Sequence, residues 1–152
     1  MDGAPKTSNS QTVTIEITTE AQQESRDVIA RGLQAFNARH LGEYQWTALD
    51  VYVRDPGGHV IAGLIGDFAL GWLEIHGLWV AEDLRGSGLG SDILNAAEKA
   101  AVERGCRAVI LDSLSFQAPA FYEMRGYVRI GTVDDYRGAA QKIFMQKRLQ
   151  TR

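Results

Sequence analysis

The chain has a single cysteine, no apolar run approaching a membrane span, and no excess of positive charge. Each shortage excludes a class of protein. One thiol, Cys106, cannot form an intrachain disulfide, so a disulfide-stapled scaffold is excluded and a cytoplasmic setting fits. Cys106 sits at a helix-to-strand junction beside apolar residues and reads as a small core residue rather than a reactive thiol. No membrane-spanning helix is expected, and the N-terminal residues carry no signal-peptide core. A formal charge of -3 argues against nucleic acid as a main partner, because phosphate backbones select a basic face. Asp, Glu and His are not grouped at ligand spacing, so no metal is expected. Repeats, linkers and a second domain are also missing.

What is present is an ordinary globular composition. With 152 residues, 45% hydrophobic and 23% charged, the chain is long enough for one domain with a real core. Residues 1–10 are polar, contain Gly3 and Pro5, and read as a flexible tail, which leaves 11–152 as the domain. Val13, Ile15 and Ile17 alternate with polar residues, as in a strand. Thr19 and Gln22 have capping-box spacing and open a helix to about Arg39, whose buried stripe would be Ile29, Leu33 and Phe36. Leu49, Val51 and Val53 alternate again, and Asp55-Pro56-Gly57-Gly58 predicts a tight turn into the strand Val60 to Ile65. Trp72 to Val80 forms the next strand, with Gly77 marking a bulge. Leu89, Ile93, Ala97 and Ala100 repeat at helical spacing. Arg107 to Asp112 is a further strand, a short helix surrounds Phe121 and Tyr122, and Tyr127 to Val133 and Lys142 to Leu149 close the fold. The order β-α-β-β-β-α-β-α-β-β gives an α/β class with a mixed, mostly antiparallel central sheet flanked by helices.

The most informative segment is Arg85-Gly86-Ser87-Gly88-Leu89-Gly90, between a strand and a helix. A glycine turn feeding a helix N-terminus presents unpaired N–H groups and the positive end of the helix dipole, which together suit a phosphate. It is not a Walker loop, since the Gly-Lys-Ser/Thr ending is absent. Nor is it a dinucleotide fingerprint, because the glycines stand at 86, 88 and 90 and lie late in the chain.

The spelling Arg-x-x-Gly-x-Gly, with Arg85, Gly88 and Gly90 in its defining positions, resembles the acetyl-CoA pyrophosphate loop of the GNAT superfamily of N-acetyltransferases. Leu78-Trp79-Val80 is similar to that family's fourth strand, and Phe121-Tyr122-Glu123-Met124-Arg125-Gly126-Tyr127 to its F-Y-x-x-x-G-F/Y segment. The resemblance covers about the last half of the chain. It implies a single-domain GNAT-like fold with a bulged fourth strand, splayed from the fifth to admit a pantetheine arm. It also implies acetyl-CoA as cosubstrate, bound by Leu78, Trp79, Val80 and the loop residues Arg85, Gly86, Ser87, Gly88, Leu89, Gly90 and Ser91. Many relatives have an asparagine seven residues before the tyrosine; here that position is Ser115, whose hydroxyl could replace one amide contact, with Gln117 a weaker substitute. The family habit adds a homodimer, which no residue of this chain demonstrates.

Acetyl transfer needs a neutral amine, a stabilised oxyanion and a protonated leaving thiolate. An alkyl amine of pKa about 10.4 is neutral in only about one part in a thousand at pH 7, a penalty of roughly 4–5 kcal/mol, so something must accept its proton. The resemblance makes Tyr122 the acid beside the thioester sulfur; a packing role like that of Phe121 is its alternative. Glu74 and His76 alternate with Trp72 and share a sheet face. A glutamate on this strand works through water in many relatives, which favours Glu74; an imidazole is chemically suited as well, and water remains a third choice. Glu43, Tyr44, Trp46, Asp134, Asp135 and Tyr136 stand where relatives shape the acceptor side, and suit a cationic amine or merely form polar loops. The expected activity is direct acetyl transfer to a primary amine of a small molecule or peptide. Its rivals are a noncatalytic acyl-CoA-binding module and an acyltransferase with another donor or acceptor.

Overall fold

A computed structural model of the chain describes residues 14–150. These fall into two compact units, one ending at Gly42 and one beginning at Glu43. In the first unit, residues 14–22 have no regular structure and α1 spans Gln23–Leu41. The expected tail, 1–10, and Val13 lie outside the described residues. The strand expected from Ile15 and Ile17 does not form; both side chains are exposed. Alternation makes a strand only when a neighbour takes its backbone N–H and C=O groups, and among the described residues of this unit none does so. The helix also starts later than Thr19: Gln22 is its N-cap without a side-chain bond, while Thr18 Oγ1 accepts from the Glu20 N–H at 3.1 Å. Within this unit Ile29, Leu33 and Phe36 meet no partner surface and are exposed.

The second unit is built on six strands: β1 (Thr47–Arg54), β2 (Val60–Ala69), β3 (Trp72–Val80), β4 (Ala108–Leu114), β5 (Val128–Tyr136) and β6 (Ala140–Arg148). They form one sheet in the order β1-β2-β3-β4-β6-β5, and only the β3–β4 pair is parallel. Because 14–18 is not a strand, the strand expected as the fourth is the third. Among the described residues two α-helices belong to this unit, α2 (Leu89–Glu103) and α3 (Pro119–Glu123). The parallel pair requires a crossover connection, and α2 supplies it. Among the described residues, no helix is long and apolar enough to cross a membrane.

One face of the sheet carries the core. Leu64, Leu73, Leu94, Val109, Ile143 and Met145 are fully buried there, with Ile93, Ala97 and Ala101 of α2 against them. Each large aliphatic side chain so buried contributes on the order of 1.5–3 kcal/mol. Cys106 is in this core, 3% exposed, and burial pushes its thiol pKa up, as suits a packing residue. Glu98 pins α2 to the sheet: Tyr127 Oη donates to its Oε1 at 2.9 Å and Lys147 Nζ to its Oε2 at 2.6 Å.

The bulge that matters for function is at His76. Along β2 the inward residues are Ala62, Leu64, Gly66 and Phe68, an unbroken alternation. Their partners on β3 are Val80, Leu78, Ile75 and Leu73. The inward set therefore changes from odd to even numbers between Ile75 and Leu78, because Ile65 faces Gly77 while Gly66 faces Ile75 and His76 has no partner. Gly77 would accept a Cβ at ordinary distance from Ile65, so its own role is permissive. Gly66 is the tight position: a Cβ there would lie 2.5 Å from the Glu74 carbonyl oxygen. Gly66→Ala is expected to destabilise the protein by about 2–3 kcal/mol, read as a lower denaturant midpoint. A change within about 0.5 kcal/mol would mean that β2 and β3 part without cost at the bulge.

Candidate active site

Beyond the bulge, β3 and β4 separate. Their pairing covers Trp72↔Ala108 to Ile75↔Leu111 and then stops, although β3 continues to Val80 and β4 to Leu114. Over these last residues the strand partner of β3 is β2 and that of β4 is β6. A cleft of about 1000 Å³ opens between them and runs to the glycine loop and α3. The edge of β3 that faces it presents backbone groups with no strand to take them.

The loop closes one end of this cleft. Gly88 is the N-cap of α2 at φ 91°, a left-handed conformation open to glycine, and no side chain caps the helix. Among the described residues, the N–H groups of residues 86–90 donate to no backbone carbonyl, whereas those of Ser91 and Asp92 bond to Gly88 O. Ser87 Oγ turns back to the Leu84 carbonyl at 2.6 Å, and Arg85 Nε ties the loop to the end of β3 through the Val80 carbonyl at 3.1 Å. Five free donors at the positive end of a 15-residue helix form an anion cradle made of main chain.

Tyr122 stands on another wall. Its ring packs edge-on against Phe121 and Tyr127, with centroids at 5.1 and 5.5 Å, and only 8% of the residue is exposed. The described residues contain no buried polar side-chain atom without a partner, and none of them bonds to the Tyr122 hydroxyl, so that group is the part reaching the cleft. Burial raises its pKa above the ordinary phenol value, which keeps the proton on the oxygen. Tyr127, behind it, is raised strongly by burial and by the Glu98 carboxylate, and acts as an anchored packing surface.

The polar residues at the bulge divide. His76 lines the cleft, and Glu74 does not. Glu74 lies before the bulge and is paired across the sheet with Asp67, on the same face as His76. Asp67 Oδ2 lies 2.8 Å from His76 Nε2. A carboxylate only accepts, so Nε2 carries the hydrogen of this contact, and in the neutral ring the lone pair is then on Nδ1. Asp112 also lines the cleft, but Lys142 Nζ holds it at 3.3 Å.

Most of the expected cofactor residues border the cleft: Leu78, Trp79, Val80, Arg85, Gly86, Gly88, Gly90 and Ser91. Ser87 and Leu89 do not; Ser87 is bonded within the loop and Leu89 packs on the core. Ser115 also stays out, because it pairs with β6, its Oγ accepting from the Gln141 N–H at 3.0 Å. Gln117 borders the cleft instead, its Oε1 held by the Leu114 N–H at 2.8 Å. None of Glu43, Tyr44, Trp46, Asp134, Asp135 and Tyr136 lines it. Asp67, Ser113 and Arg125 are the residues that sequence reading passed over. No motif flags Asp67 or Ser113, whereas Arg125 stood inside the Phe121–Tyr127 segment as an unremarked position.

A splayed sheet, a main-chain anion cradle and a phenol thus share one cleft in an α/β fold. A family model described as Acetyltransferase (GNAT) family matches residues 16–127. An acetyltransferase of Agrobacterium fabrum is 31% identical over 128 residues, covering 84% of this chain and 93% of that protein. Blasticidin-S acetyltransferase of Streptomyces morookaense is 39% identical over 80 residues, 52% of this chain and 59% of that protein. The crystal structure of an Agrobacterium tumefaciens protein described as an acetyltransferase superposes with a TM-score of 0.85 at 29% identity, covering 90% of this chain and all of that one. The chain belongs to the acetyltransferase (GNAT) family and is an N-acetyltransferase.

Proposed function

We propose that the protein moves an acetyl group from acetyl-CoA directly to the primary amine of a small molecule. The observation that carries this reading is the one cleft that is bordered by Gly86, Gly88 and Gly90 of the loop and by Tyr122. In this reading the loop takes the diphosphate and the unpaired edge of β3 takes the pantetheine. A small-molecule acceptor is the choice supported by the similarity to blasticidin-S acetyltransferase. The buried lone thiol suits the reducing cytoplasm as the setting.

The chemistry runs in one balanced sequence. The amine nitrogen attacks the thioester carbonyl carbon and its surplus proton passes to His76 Nδ1, directly or through one water. The oxyanion is held by main-chain N–H groups of β3, an arrangement commonly worth a few kcal/mol. The C–S bond then breaks, and the Tyr122 hydroxyl gives its proton to the departing thiolate. Glu74 is placed outside the proton path, since it lies before the bulge and away from the cleft.

Calorimetric titration of acetyl-CoA tests the cradle. Gly88→Val is expected to lower affinity at least about tenfold, because a side chain at φ 91° costs about 1–2 kcal/mol and stands where the backbone meets the anion. Unchanged affinity in a folded variant would remove the diphosphate from this loop.

A further inference from the structure

Arg125 is a charged cleft residue with no part in the proton path. It lies just beyond α3 and is half-buried. Its Nη1 donates to the Phe121 carbonyl at 2.7 Å, its Nη2 donates to Ser91 Oγ, and its guanidinium carbon is 3.7 Å from the centroid of the Phe121 ring. Ser91 is in the first turn of α2. A full positive charge is thus fixed at the positive end of a helix dipole, where cations are disfavoured. No compensating carboxylate is present: among the described residues no ion pair involves Arg125 or Arg85, and Asp92, in the same first turn, bonds to neither.

We infer that Arg125 is a donor to the diphosphate of the acyl-CoA, closing on it from the α3 side while residues 86–90 hold it from the α2 side. The inference rests on the acyl-CoA reading of the cleft and adds to it a residue from outside the loop. Two of the five guanidinium N–H groups are in use, which leaves three for phosphate oxygens. The Phe121 ring and the two protein bonds hold the planar fork in place beforehand, so little side-chain freedom is lost on binding. Gly90 belongs to the same assembly, since the Phe121 ring beneath Arg125 lies 3.5 Å from where a Gly90 Cβ would be. The anion would complete what the protein leaves open, a charge-assisted, bidentate contact at a helix N-terminus.

The rival role is a brace between α3 and α2 with no ligand contact. Calorimetry with CoA and with dephospho-CoA, which keeps the diphosphate but lacks the 3′-phosphate, separates the two when ligand-free melting is recorded alongside. Arg125→Gln is expected to raise Kd for both ligands by the same factor, about 10–100-fold, with the ligand-free melting curve retained. Arg125→Lys, which keeps the charge but loses the fork and the ring contact, should raise both Kd values by a smaller factor. If the glutamine variant does not fold, the lysine variant decides. Unchanged Kd values overturn the inference. A rise with CoA alone would move Arg125 to the 3′-phosphate, and a rise matched by a large drop in melting temperature in both variants would make it a brace. Failure of the parent protein to bind either ligand would instead overturn the acyl-CoA reading.

Discussion

Tyr122→Phe is expected to slow single-turnover acetyl transfer by about 10²–10⁴-fold, with acetyl-CoA affinity nearly unchanged. That corresponds to roughly 3–5 kcal/mol of barrier. The variant keeps the ring, and with it the edge-on contacts to Phe121 and Tyr127, and loses only the oxygen that no described residue binds. Single-turnover rates are the right measure, because steady-state kcat hides a chemical defect when product release is slow. The raised pKa adds a sign to the test. A phenol displaced upward by burial stays protonated through and beyond the ordinary tyrosine range, so no loss of the acid should appear below about pH 10. A phenylalanine variant that matches the parent would make Tyr122 a packing residue.

His76→Ala should lower kcat/KM by about 10²–10³-fold for amines that are protonated at the assay pH, and by much less for weakly basic amines that arrive neutral. Glu74→Gln should stay within about threefold of the parent, as expected of a half-buried strand residue off the cleft. The physical ground is the bulge: it leaves His76 unpaired and on the cleft, and Glu74 one pair earlier, opposite Asp67. The measurement is CoA release across a panel of amines of graded basicity. Equal losses in the two variants would return the glutamate to the proton path, and no loss in either would leave deprotonation to water.

Two facts about β3 separate what sequence can say from what it cannot. Gly77 in an apolar strand pattern announces a bulge, because such a residue interrupts side-chain alternation. The residue the bulge displaces is His76, however, and that follows from the register Ile65↔Gly77 and Gly66↔Ile75, which depends on β2. The same holds for Ser115. Its spacing from Tyr122 matched an asparagine position, yet its hydroxyl faces Gln141 on β6, a neighbour 26 residues away in the chain. The strand expected near Ile15 does not form for a related reason. Alternation and amphipathicity express only a capacity to be buried, and burial requires a partner surface.

The sequence by itself determined the local devices. The Arg85–Gly90 spelling determined the loop, since positive φ at Gly88 and free N–H groups at a helix start are properties of a few consecutive residues. The 3.6-residue spacing of Leu89, Ile93 and Ala97 determined α2, and Pro119 with Tyr122 marked α3. Tertiary structure alone decided which separated groups meet at the cleft: Asp67 on the cleft residue His76, and the Arg125 guanidinium on Ser91, 34 residues apart in sequence. Those meetings are set by strand register and by the divergence of β3 from β4 after Ile75 and Leu111, which are long-range hydrogen-bonding choices with no local signature.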